Sequence, residues 1–461
     1  MNSFLNHVRK NKIVYIVALF FIAKFLTIQS YRIVWWDAAV YIGMGKYIYS
    51  FGNAGLWEAS RPIVWPLILG FLWKTGFNVI FLGRTVEIIF GSLCIYLTYL
   101  IGRRIFDKKI ALLSSVLLAL SPTFFFFNGV MLTEIASTFF SLLAIYLFIE
   151  KKYFTSGIFL GVAFMTRFLQ FFVFAALFLI LIFDKKNVKN CSKLLLGFVV
   201  AAIPFLVLNQ ILYNNSLFPF FQQIVLSRNS GWLNYHPLSY YFIGLFNENF
   251  LYLFAILGIF MVLRSKDIKK MPIVSAFLLL FIFFNSISQK EMRFLIILLL
   301  YMYLLMSYSI IYIFNNSKNK IFKSIIVGLV IASFLFSLNA TYFYHKNENN
   351  KNNQYATFQN KLEEIGKGNI WVSNPVIPVY SNKKTDKLMY YPMFNKENKE
   401  GLIKESSKAD FMFLDLCDLV CKPSDKQCEN DKIELLAYFK QHLKTVYSSK
   451  ADRCEQFIFQ R

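Results

Sequence analysis

The chain of 461 residues is 57% hydrophobic and 19% aromatic, with 53 Phe against 20 Gly and 11 Pro, and only 16% of its residues are charged. That leaves too few polar side chains to cover the outside of a soluble particle, whereas lipid covers an apolar surface directly, so a soluble globular protein, a disordered chain, a collagen and a coiled coil are excluded. The net charge of +23, from 49 Lys and Arg against 26 Asp and Glu, reads in such a chain as topology signals and contact with anionic headgroups, not as a nucleic-acid surface.

The first apolar stretch runs into Trp35, Trp36 and Asp37 rather than into a small-residue cleavage site, which predicts a retained first span and not a signal peptide. A hydrocarbon core of ~30 Å takes roughly 20 helical residues. On that measure about eleven spans are expected, at 13–34, 84–102, 110–127, 131–149, 154–166, 168–183, 194–212, 243–263, 272–288, 294–314 and 323–343, with the fifth and sixth a pair broken at Thr166 and Arg167. With the N-terminus in the cytoplasm, every inside loop is cationic: Arg9, Lys10 and Lys12; Arg103, Arg104, Lys108 and Lys109; Lys151 and Lys152; Lys185, Lys186, Lys189 and Lys193; Arg264, Lys266, Lys269 and Lys270; Lys318, Lys320 and Lys323. Positive flanks stay in the cytoplasm, so an odd number of spans puts the C-terminal part outside. The expectation is a polytopic α-helical plasma-membrane protein: a membrane domain over 1–343 with a long first outer loop at 35–83, then a small extracytoplasmic α/β domain over 344–461.

In that last domain, β-like runs at 370–373, 387–391, 410–416 and 456–459 alternate with helical ones at 397–408 and 429–443. Cys94 falls in a span and Cys191 in an inside loop, while Cys417, Cys421, Cys428 and Cys454 are all in the tail. Four cysteines in a small domain on an oxidising face predict two disulfides in one of three pairings. The rival is a zinc site, for which the paired Cys-x2-Cys knuckles are missing and His442 has no second His nearby.

Chemistry is expected in the long first outer loop, whose aromatic and apolar residues interleave with single polar ones, as in helices lying in the interface plane. Asp37 follows the Trp pair at the headgroup boundary, a seat for a base that serves a lipid-borne substrate and equally for a helix N-cap. Other ionisable residues in apolar surroundings are Glu58, Arg61, Glu134, Arg167, Glu248, Lys290, Glu291 and Arg293. Such groups are costly at membrane depth and are functional candidates, against the plainer reading as internal ion pairs such as Arg84 with Glu87. Arg61, Arg167, Lys290 and Arg293 are expected to converge on one phosphate in an outward cavity with Asp37 at its mouth, and Glu58, Glu134 and Glu291 to orient them or the acceptor.

Arg61-Pro62-Ile63-Val64-Trp65-Pro66-Leu67, Gly102-Arg103-Arg104-Ile105-Phe106, Leu120-Ser121-Pro122, Thr133-Glu134, the run 161–167 ending in Met165-Thr166-Arg167, and Gln289-Lys290-Glu291-Met292-Arg293-Phe294 occur in this order after Asp37. Their order, spacing and sidedness resemble the GT-C glycosyltransferases, in the family 39 and RgtA/B/C/D-like branch, similar to the dolichyl-phosphate-mannose protein mannosyltransferases and the lipid A aminoarabinose transferase. The resemblance implies transfer of a sugar, a hexose such as mannose, from a polyprenyl-phosphate carrier to an acceptor hydroxyl on lipid, glycan or protein, with inversion and with Asp37 as base. Two departures are visible: the branch's acidic pair is reduced to Asp37-Ala38, and Gln289 stands for a His. With His7, His236, His345 and His442 scattered, no metal ligand cluster is apparent, and a reaction without metal or other cofactor is expected. The competing classes are a flippase or transporter of lipid-linked saccharides, which calls for matched repeats or broken helices, and an inactive scaffold of the same fold.

Overall fold

In a computed structural model of the chain, residues 11–183, 188–389, 394–451 and 454–461 are described. Arg9, Lys10, Lys185 and Lys186, which carried part of the topology argument, lie outside them, as do His7 and the end of the expected strand at 387–391.

The apolar runs all become helices. They are α1 (Lys12–Leu26), α2 (Trp36–Tyr49), α3 (Val64–Lys74), α4 (Val79–Ile105), α5 (Lys108–Ala119), α6 (Pro122–Phe127), α7 (Thr133–Ile149), α8 (Tyr153–Thr166), α9 (Phe171–Phe183), α10 (Val188–Tyr213), α11 (Phe218–Ser230), α12 (Tyr240–Glu248), α13 (Leu253–Ser265), α14 (Met271–Ser286), α15 (Ile296–Asn316) and α16 (Lys320–Asn349). Among the described residues, five helical stretches are long and apolar enough to cross a membrane on their own, and six shorter apolar ones have 10–17 residues. The stretch that ends in α15 is central, with 89% of its apolar window buried, whereas that of α16 is 17% buried and faces outward.

Local chemistry sets the breaks. Asn78 accepts from the backbone N–H groups of Ile80 and Phe81 to start α4, and Asp107 does the same for Lys109 and Ile110 at α5. The expected span at 110–127 is split because Ser121 caps a new helix with Pro122 in its first turn. The span at 243–263 is split at Asn249, which is extended and caps the turn that leads into α13. Helix α8 meets α10 almost backbone to backbone: a Cβ on Gly157 would lie 2.1 Å from the carbonyl oxygen of Leu194, and one on Gly197 2.1 Å from that of Phe154.

Two ends of the bundle differ in chemistry. At one, Arg104 pairs with Glu150 at 2.8 Å, and Lys270 lies over the rings of Phe106 and Tyr308, which brings the short cationic loops together. At the other lie α2, α3 and the small C-terminal domain. That domain is a five-stranded sheet of order β2-β1-β3-β5-β4, with β1 (Ile370–Val372), β2 (Lys387–Leu388), β3 (Phe411–Asp415), β4 (Lys444–Ala451) and β5 (Cys454–Gln460). Strand β1 runs parallel to β2 and β3, and β5 antiparallel to β3 and β4. Helices α17 (Ala356–Glu364), α18 (Lys396–Glu405) and α19 (Cys428–His442) pack around it. Cys417 is bonded to Cys454 and Cys421 to Cys428, so the tail thiols form two disulfides and not a zinc site.

Candidate active site

Asp37 stands in the first turn of α2, where its charge complements the helix dipole, and its own side chain makes no cap bond; Trp35 holds the N-cap position. Its two oxygens are taken by two arginines from distant parts of the chain: Arg61 Nη2 at 3.0 Å and Arg293 Nη1 at 2.8 Å. Arg61 also reaches Glu58 at 3.0 Å, whose carboxylate accepts from the Ser60 hydroxyl at 2.7 Å. Arg293 reaches Glu291 at 2.7 Å and, more loosely, Glu134 at 3.7 Å. Glu134 in turn pairs with Arg167 at 3.1 Å, and Arg167 donates to the Thr133 hydroxyl at 3.0 Å. Seven of the eight expected charged residues therefore form one continuous network at one end of the bundle.

Glu58 and Arg61 come from the loop before α3, and the other charges lie at or beside element ends. Asp37 and Glu134 open α2 and α7, Arg167 follows α8 at an extended residue, and Arg293 sits in the short 3₁₀ turn that enters α15. The ring of Phe294 lies 5.2 Å from the Arg167 guanidinium and 5.5 Å from that of Arg293, and Tyr41 lies 5.8 Å from Arg61, so aromatic faces back all three cations. Burial alone pushes the Asp37 carboxyl up, but Arg61 and Arg293 outweigh it and hold the group well below the usual carboxylate range.

Four expectations change. Lys290 is not in the network: its ammonium donates to the carbonyls of His236 at 3.0 Å and Ile287 at 2.7 Å, which fixes the turn before Arg293. The arginines face protein carboxylates, not a space prepared for an anion alone, because four carboxylates are drawn to the same end. Arg84 and Glu87 do not pair; Glu87 accepts from the backbone N–H groups of Gly129, Met131 and Leu132 at 2.6–3.0 Å, which sets the turn that aims Glu134. Glu248 likewise serves Ser121 and Thr123 at the start of α6, away from the network. Sequence reasoning passed over Ser60, Asn234 and Tyr41. Gln289 and Asn234 each reach Glu291 at 3.4 Å, so the position where the resemblance expects His still contacts the cluster. Among the described residues the network's carboxylates do not bring three oxygens together within 4.8 Å as a metal would need.

Beside the network an apolar groove of about 760 Å³ runs between the α2–α3 hairpin and helices α8 and α10. Trp57 and Ile63, which flank Glu58 and Arg61 in sequence, line it together with Met165, Phe205 and Leu208; neither Asp37 nor Arg61, Arg167, Lys290 or Arg293 does, so the expected cavity shared by these charges is not this groove.

A helical membrane bundle that gathers acidic and basic loop residues at one end, beneath a small sheet domain, has the fold of the glycosyltransferases ArnT and AglB. Residues 60–209 match the family described as dolichyl-phosphate-mannose-protein mannosyltransferase. The chain is similar in structure to ArnT from Cupriavidus metallidurans bound to undecaprenyl phosphate, with 11% identity over 97% of each chain and a TM-score of 0.68. It is also similar to the oligosaccharyltransferase AglB from Archaeoglobus fulgidus in complex with an inhibitory peptide and a dolichol-phosphate, with 12% identity over 98% of this chain and 74% of that one and a TM-score of 0.60. No curated protein matches the sequence.

Proposed function

We propose that the chain is an integral-membrane glycosyltransferase that moves a hexose, such as mannose, from a polyprenyl-phosphate carrier to a hydroxyl of a lipid, glycan or protein acceptor, with inversion at the anomeric carbon. The observation that carries this reading is the meeting of Arg61 and Arg293 on Asp37 beside an apolar groove, which offers phosphate and prenyl chain adjoining places. The acceptor oxygen bonds to the anomeric carbon as the bond from that carbon to the phosphate oxygen breaks; the hydroxyl proton passes to Asp37 and the electron pair leaves with the phosphate. Paired with two guanidiniums, Asp37 is ionised but a weak proton acceptor. As the leaving phosphate gains charge it competes for the same arginines, and every guanidinium drawn off Asp37 raises its proton affinity, so departure and deprotonation support one another.

The network is placed on the extracytoplasmic side, with the N-terminus in the cytoplasm of a plasma-membrane protein. Support comes from the cationic short loops at the far end of the bundle and from the two disulfides in the domain at the near end. The reaction is proposed to run without a metal, since Asp37, Glu58, Glu134 and Glu291 each face an arginine. The test incubates purified protein with a panel of polyprenyl-phospho-sugars and measures acceptor-dependent release of polyprenyl phosphate. Asp37→Asn should lower release by about 10²–10⁴-fold, the usual range for a general base, while carrier binding is kept. Unchanged transfer would remove Asp37 as the base.

A further inference from the structure

We propose that residues 379–385 of the C-terminal domain are a strap that positions the loop carrying Glu58 and Arg61, so that a soluble segment sets the geometry around Asp37. The proposal rests on the function given above for its catalytic consequence. Its mechanical half stands on contacts alone.

Helix α2 carries Asp37 in its first turn and Lys46 nine residues later, about 14 Å along the axis. The Lys46 side chain is buried, and its ammonium donates to the carbonyls of Val379 and Ser381, both at 2.8 Å. An ammonium in such a place needs partners, and those it has belong to the strap. Beside it, Gly55 pairs with the strap as a short parallel bridge: its N–H donates to the Lys383 carbonyl at 3.0 Å, and its carbonyl accepts from the Thr385 N–H at 2.7 Å. Next in sequence, the Leu56 N–H donates to the Gly43 carbonyl of α2 at 3.2 Å. The chain at 55–56 is thus held between α2 and the strap, and Glu58 and Arg61 follow within six residues.

At Gly55 the fit leaves no slack. Gly55 has φ of +76°, and a Cβ there would lie 2.1 Å from the Gly43 carbonyl oxygen and 2.8 Å from the Lys46 Cβ. On the far side of Arg61, Trp73 at the end of α3 donates its indole N–H to Asn382 Oδ1 at 3.0 Å, so the strap fixes both flanks of the loop. The strap has its own anchor within the soluble domain, where the Lys383 ammonium donates to the carbonyls of Leu362, Glu363 and Ile365 at the end of α17. Nothing in the strap touches Asp37, and its Lys46 and Lys383 anchors are positioning groups, not catalytic ones.

Two variants approach the strap from opposite sides in the full-length protein. Lys46→Met keeps the stem and removes the ammonium on the membrane side; Lys383→Met loosens the strap from within the soluble domain. Both should keep a cooperative melting transition, speed hydrogen exchange at the Gly55 and Leu56 amides, and lower kcat for polyprenyl phosphate release by about tenfold or more, as small displacements of catalytic groups do. Binding of polyprenyl phosphate itself should change by less than about twofold if the groove supplies most of its affinity. Lys46→Arg, which keeps a donor for each carbonyl, should restore part of kcat. Faster exchange with full kcat, or lost kcat with unchanged exchange, overturns the proposal. If the unmodified protein releases no polyprenyl phosphate from any carrier, the proposed function fails and exchange decides the strap, which unchanged exchange in both variants overturns.

Discussion

Arg293→Met tests whether the network is held by charge balance. Arg293 lies 2.8 Å from Asp37, 2.7 Å from Glu291 and 3.7 Å from Glu134, with its side chain 13% exposed. Methionine keeps apolar bulk near Phe294 and removes the charge, so three carboxylates lose a shared partner. Removing one member of a buried ion pair costs about 3–5 kcal/mol. Here Asp37 keeps Arg61 at 3.0 Å, Glu134 keeps Arg167 at 3.1 Å, and Asp37 and Glu291 are 19% and 21% exposed, which puts the expected cost near the lower end, about 3 kcal/mol. A second change sharpens the test. Asp37→Asn alone takes a carboxylate from both Arg61 and Arg293, but in the Arg293→Met background the Arg293 pair is already gone and only the contact with Arg61 is lost. The double variant should therefore be more stable than the sum of the two losses, with a coupling of about 1–3 kcal/mol. Denaturant unfolding in detergent, followed by tryptophan fluorescence on all four proteins, gives the cycle. Additive losses, or an Arg293→Met protein as stable as the parent, would refute the charge-balance reasoning.

The two disulfides should differ in weight: Cys417–Cys454 spans 37 residues and Cys421–Cys428 spans 7, which by loop-closure entropy corresponds to about 4 and about 2 kcal/mol. Paired Ala variants read by proteolysis of the C-terminal domain should follow that order, and the reverse order would defeat the account. Lys290→Met should leave carrier binding within about twofold while lowering stability by about 1–3 kcal/mol, since two buried carbonyls lose their donor; a titration that shows binding abolished would return Lys290 to the network. Burial pushes the Asp418 carboxyl up to about 6, against hydrogen bonds from Ser373, Asn374 and Tyr355. A carboxyl raised on folding contributes stability below its unfolded pKa of about 3.9 and loses it as pH rises through the folded value. Stability of the C-terminal domain should fall from pH 4 to pH 7 by this share, and Asp418→Asn should flatten that slope in a pH series of hydrogen exchange.

The apolar segments were readable because a lipid-facing helix has to be apolar, and counting them puts Asp37, Arg61, Glu134, Arg167 and Arg293 at one and the same end of the bundle. Their convergence was readable for the same reason: charges confined to one end of a narrow bundle have few places to go. What they meet there was not. Sequence gives the position of a side chain along the membrane normal but not its azimuth, so Lys290, three residues from Arg293, was grouped with it as the weaker candidate and in fact turns toward backbone carbonyls. Glu87 was assigned to Arg84 because side-chain pairs at helical spacing are visible, whereas the N–H groups of Gly129, Met131 and Leu132 are not. Helix α11 was missed because Gln222 and Gln223 interrupt its apolar residues and Ser227–Ser230 end them too soon for a span, and β4 because its run of Lys, Ser and Tyr lacks the apolar alternation that marks a half-buried strand. The disulfide pairing depends on the path from β3 to β5, which no spacing rule contains.

The seam at Gly157 and Gly197 has a consequence for the groove. Helices α8 and α10 are locked together below it, while the residues that open it, Val162 and Met165 on one helix and Ala201 to Tyr213 on the other, all lie nearer the charged end. Pro204 removes one backbone bond from α10 within that open stretch, so any yielding falls there and not at the seam. Under the proposed function, a prenyl chain entering from the charged end meets a floor partway down and leaves sideways into the bilayer. On that proposal, recognition falls on the part of the carrier nearest the phosphate and not on its total length.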